Sequence, residues 1–109
     1  VPPCYVSLAK EKSLGNLVCT VIGFPNGYNT TQNKLAEIKE VLRLGADEID
    51  FVQNLSFVKS QMWAELENEY KLIISAAQGK IVKLILILNF IFDCNGSPQS
   101  LIKLYDLKP

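Results

Sequence analysis

An α/β fold with a parallel sheet is the class this sequence predicts, and three observations carry the prediction. Apolar, β-branched runs begin at Leu17, Glu48 and Ile81, about 30 residues apart, which is the period of right-handed βαβ units. Segments with apolar residues at helical spacing fill the intervals. Glycines at 15, 45 and 79 stand where each of these segments should stop.

The elements follow in order. Pro2-Pro3, then Tyr5, Leu8 and Ala9, then Gly15 read as a helix with proline near its first turn. The strand before it would lie upstream of Val1. Leu17 to Phe24 (LVCTVIGF) is bounded by Gly15-Asn16 and Pro25-Asn26-Gly27, as a largely buried strand is. Asn29, Thr30 and Thr31 are N-cap candidates for a helix with Leu35, Ile38 and Leu42 on its apolar stripe, and Lys34, Glu37, Lys39, Glu40 and Arg43 on its other faces. Glu48 to Val52 forms the next strand. After Gln53-Asn54 and a loop, Ser60 can cap a helix with the stripe Met62, Leu66, Tyr70, Ile73 and Ala77. The third strand runs from Ile81 to about Leu88. These units suit either an open doubly wound sheet or a closed (β/α)8 barrel. Neither G-x-G-x-x-G nor G-x-x-x-x-G-K-[ST] is present, so the common phosphate-cradling fingerprints of open sheets are missing.

Composition narrows the chemistry. The chain has 109 residues, 49% hydrophobic and 20% charged, which fits one domain and excludes two. Eleven basic residues balance eleven acidic ones, so no basic footprint for nucleic acid or anionic lipid is expected. With no histidine, proton chemistry falls to Asp, Glu, Lys, Tyr or Cys. Cys4, Cys19 and Cys94 form no CxxC pair and fit reduced thiols and a cytoplasmic location. The apolar run from Ile81 to Phe92 is interrupted by Lys83 and Asn89 and is too short for a membrane span. The N-terminus lacks the pattern of a signal peptide and an initiating methionine, as expected of a piece that begins inside a longer protein.

Two residues stand out as candidates for chemistry. In a barrel, strand alternation turns Glu48, Asp50 and Val52 to one face and Ile49 and Phe51 to the other, so Asp50 would face inward near the C-terminal end of its strand, where such barrels place their reactions. Otherwise it ends an exposed edge strand. Lys83 interrupts an apolar strand on the face shared with Ile81 and Ile85. Either it forms an inward-facing ion pair with Asp50, or it tilts toward solvent. Cys19, inside a strand, is expected to be buried and inert, Trp63 to open a helix, and the Thr30-Thr31 pair to cap rather than grip phosphate.

Several collinear motifs carry a resemblance. Cys19-Thr-Val-Ile-Gly-Phe-Pro25 with Gly27, Asn29, Thr30-Thr31 and Lys34, and above all Gly45-Ala-Asp-Glu-Ile-Asp50 with Val52 and Asn54, are similar to deoxyribose-phosphate aldolase. The stretch around Lys83 resembles that family's next strand, and Pro3-Cys-Tyr-Val with Leu8-Ala-Lys-Glu its preceding helix. The resemblance implies a partial (β/α)8 TIM barrel over 1–88, with about three parallel strands and intervening helices, and a divergent tail over 89–109. It implies a class I aldolase that uses no cofactor or metal and cleaves the phosphorylated sugar 2-deoxyribose 5-phosphate to glyceraldehyde 3-phosphate and acetaldehyde through a Schiff base, in deoxyribonucleotide catabolism. Asp50 matches the acid/base aspartate and Lys83 a lysine close to the reacting centre. The Schiff-base lysine of the family lies in a Lys-Thr-Ser-Thr-Gly motif, which this sequence lacks. Two expectations follow: an inactive fragment of an aldolase, or a non-enzymatic α/β module acting through open sheet edges. Self-association is expected from those edges.

Overall fold

The structure, a computed structural model, describes residues 1–87. The expected tail at 89–109 lies outside the described residues, as does Leu88; the third strand, expected to run to about Leu88, ends at Ile85, with Leu86 and Ile87 described beyond it. A 3-10 turn, Pro3–Tyr5, leads into α1 (Val6–Lys12). Then follow β1 (Cys19–Ile22), α2 (Thr31–Arg43), β2 (Glu48–Val52), α3 (Leu55–Lys59), α4 (Trp63–Ala76) and β3 (Ile81–Ile85). The sheet has the order β1-β2-β3 with both pairings parallel. Among the described residues, no helix is long and apolar enough to cross a membrane.

Sequence explains most element boundaries. Thr30 caps α2 as expected, its hydroxyl accepting from the Asn33 N–H at 3.3 Å, and Gly45, at φ +102°, follows its C-terminus in the left-handed region. The core lies on the helix side of the sheet. Ile22, Ile49 and Phe51 pack there with Ile38 and Val41 of α2 and Leu66, Tyr70 and Ile73 of α4, all buried. The Phe51 and Tyr70 rings meet edge to face at 5.3 Å, the arrangement their quadrupoles favour.

Four expectations change. Residues 55–59 form a short helix rather than a loop, because the Asn54 side chain accepts from the Ser56 and Phe57 N–H groups and so nucleates a turn that buries Leu55 and Val58. Ser60 consequently closes α3 instead of capping α4, which starts after Met62 without a side-chain cap. In α1 the buried face is Val6, with Ala9 packed beside it, while Tyr5 and Leu8 are exposed. Cys19 is only partly buried, because its side of β1 faces away from the helices.

Candidate active site on the uncovered sheet face

The parallel register builds this site. Cys19 pairs with Glu48, Val21 with Asp50, and Asp50 with Lys83. Strand alternation therefore sets Cys19, Val21, Glu48, Asp50, Val52, Ile81, Lys83 and Ile85 on the face that, among the described residues, the helices leave uncovered. Burial agrees along β1 and most of β2, where residues of the helix side are buried and Cys19, Val21, Glu48 and Asp50 are intermediate; Val52, at the end of β2, is the exception and is fully buried.

Lys83 Nζ lies 3.1 Å from Asp50 Oδ1 and 3.2 Å from Glu48 Oε2. The two readings of Lys83 are thus resolved in favour of the ion pair, although half of its side chain remains exposed. Asp50 and Glu48 hold the Lys83 amine above its usual range, outweighing desolvation. Cys19 Sγ lies 3.9 Å from the same ammonium. Burial, with the Asp50 charge beside it, pushes the Cys19 thiol up, so it stays protonated near neutrality. The cluster can therefore hold and move protons through carboxylates next to a fixed cation.

A second polar group lies on the helix side of the sheet and was not anticipated. Lys34 and Glu69, both 0% exposed, form an ion pair at 3.0 Å. Lys34 Nζ also donates to the Val52 carbonyl at 3.1 Å, and Glu69 accepts from the Thr31 hydroxyl at 3.0 Å. Burial pulls the Lys34 amine below its usual range, against the attraction of Glu69. The Lys34 stem also packs on Gly23, whose N–H donates to Glu37 at 2.8 Å. Lys34 therefore ties the ends of β1 and β2 to α2 and α4. Charge and helical position placed it on a solvated face; only its spacing of one residue from Leu35 and four from Ile38 hinted that it borders the core.

Comparison with known proteins adds to this geometry. The chain is 42% identical over 88 residues to the deoxyribose-phosphate aldolase of Mannheimia succiniciproducens, covering 79% of this chain and 39% of that protein. It is also 42% identical to the deoxyribose-phosphate aldolase of Streptococcus pyogenes serotype M4, over 105 residues that make up 95% of this chain and 45% of that protein. The solved structure of the aldolase QR15 superposes with a TM-score of 0.74 at 39% identity, over 77% of this chain and 38% of that one. The chain spans less than half the length of the curated relatives it matches. No protein-family model matches it. The three parallel strands and their helices are a partial barrel of the TIM type, as the family resemblance implies, rather than part of an open doubly wound sheet.

Proposed function

We propose that this chain is part of a deoxyribose-phosphate aldolase and brings Asp50 and Lys83 to a Schiff-base cleavage of 2-deoxyribose 5-phosphate. The observation that carries the reading is the Asp50–Lys83 pair at 3.1 Å on the uncovered face of a partial aldolase barrel. An amine outside this chain forms the Schiff base with the substrate carbonyl. Asp50 then accepts the hydroxyl proton as the carbon–carbon bond breaks, releasing glyceraldehyde 3-phosphate and leaving an enamine. Protonation and hydrolysis of the enamine free acetaldehyde and regenerate the amine. A carboxylate suits this proton transfer, and the neighbouring Lys83 cation stabilises negative charge that develops on the reacting oxygen. Lys83 itself, charged and paired, does not attack the carbonyl.

Two measurements test the reading. With 2-deoxyribose 5-phosphate and borohydride, the purified chain should form no covalent adduct and release no glyceraldehyde 3-phosphate. Turnover abolished by Lys83→Ala would make Lys83 the nucleophile and sink the assignment. A hybrid in which residues 1–87 replace the matching segment of the Mannheimia succiniciproducens aldolase should turn over, and Asp50→Asn in it should slow the rate by about 10²- to 10⁴-fold. An unchanged rate would leave Asp50 a structural role, and an inert, folded hybrid would favour a non-enzymatic module acting through its sheet edges.

A further inference from the structure

We infer that Glu48 is a positioning residue that fixes the Lys83 ammonium beside Asp50. This rests on the assignment of Asp50 and Lys83 to the reaction proposed above. The register puts Asp50 directly beside Lys83 and Glu48 beside Ile81, one step along the same face toward the start of the strands. From there Glu48 Oε2 reaches Lys83 Nζ at 3.2 Å, nearly the 3.1 Å of the Asp50 contact. One ammonium thus bridges two carboxylates of a single strand.

The arrangement has a physical reason. Glu48 and Asp50 are two residues apart on one face, and their side chains are only 19% and 27% exposed, so neither charge is freely solvated. Like charges this close disfavour each other's ionised form, and a cation between them removes that cost. Lys83, though 51% exposed, lies between the two acids. Among the described residues, the remaining titratable group facing it from the packed elements is the Cys19 thiol on β1. Two carboxylates against one ammonium leave the cluster with a net negative charge. Asp50 is therefore not wholly committed to neutralising Lys83. With Glu48 absent, Asp50 and Lys83 would form a closed one-to-one pair, and the ammonium would lose one of the two carboxylates that hold it in place.

The test follows the Lys83 amine directly. The 109-residue chain is labelled with ¹⁵N at lysine, and the Lys83 Nζ resonance, assigned with Lys83→Arg, is titrated by NMR between about pH 8 and 12. The expected result is a midpoint moved to lower pH in Glu48→Gln and in Asp50→Asn, with the backbone amide spectrum reporting an intact fold. Should Glu48→Gln fail to fold, Glu48→Leu, close in bulk and suited to a strand, makes the same comparison. A Lys83 midpoint at its wild-type value in the folded Glu48 variant, while Asp50→Asn lowers it, overturns the inference. The titration needs no turnover, so failure of the aldolase reading and failure of this one are told apart.

Discussion

Lys34 and Glu69 form an ion pair at 3.0 Å with no exposure of either side chain. Both are sealed from water, and the attraction between them offsets desolvation only while each has its partner. Lys34→Met alone should destabilise the chain by about 3–5 kcal/mol, because it strands a buried carboxylate. Lys34→Met with Glu69→Met should recover most of that loss, since two apolar chains of similar length can fill the site. Urea denaturation of both variants measures this, and a double variant no better than the single one would contradict it. Asp47 shows the opposite regime near the surface. Lys10 Nζ at 2.7 Å and the Val18 N–H at 2.9 Å hold its carboxyl below the usual range. A carboxylate whose value is lowered by folding stabilises the fold above its unfolded value, about 3.9. That contribution is lost as pH falls through the lower folded value. Asp47→Asn should therefore be less stable than wild type at pH 7, and the gap should close in acid below the folded value. A gap that is constant across that range would assign the effect to packing.

At the scale of elements, the turn after β1 is held by a close backbone approach. Gly27 has φ +71°, and a Cβ there would lie 2.0 Å from the Gln53 carbonyl oxygen and 2.7 Å from that of Val52. The first βα loop thus rests directly on the end of β2, next to the strand that carries Asp50. Gly27→Ala should cost at least about 3 kcal/mol, combining a left-handed residue with a clash against backbone that cannot rotate away. Gly15 is the matched control. Its φ of +92° carries similar strain, but nothing lies within 4 Å of a Cβ there, so Gly15→Ala should cost only about 1–2 kcal/mol. Thermal melts of the two variants compare them, and equal losses would mean that the close approach relaxes without cost.

For the whole molecule, the described sheet leaves edges. Both β1 and β3 pair only with β2 among the described residues. The N-terminal segment lies along β1, where the Val1 ammonium donates to the Cys19 carbonyl at 2.8 Å and the Thr20 hydroxyl to the Val1 carbonyl at 2.9 Å. On β3, Ile81 is exposed and Lys83 is the lone charge. An apolar edge strand with unpaired backbone groups is a template for pairing with another chain. The isolated chain should accordingly self-associate, its mass by light scattering rising with concentration, and Ile85→Lys should lower that mass. A monomer of constant mass over the same range would mean that the edge is already covered.

The α/β class, the three strands, the Thr30 cap and the candidacy of Asp50 and Lys83 were legible in the sequence, because each depends on local spacing. Alternation fixes which residues share a strand face, and apolar periodicity marks the helices whatever the chain does elsewhere. Even the pairing of Asp50 with Lys83 could be reasoned from their places on consecutive strands. Whether Lys83 met carboxylates or water, however, depended on register between segments more than thirty residues apart, which sequence leaves open. The contact from Glu48 to Lys83 required that register too. Lys34 was the furthest from reach: a lysine among other charges reads as solvated, and only the approach of α4 with Glu69 and of the Val52 carbonyl makes its burial tolerable. Tertiary structure decided these points because the free energy of a charge is set by what surrounds it in space, which the identity of its neighbours along the chain does not specify.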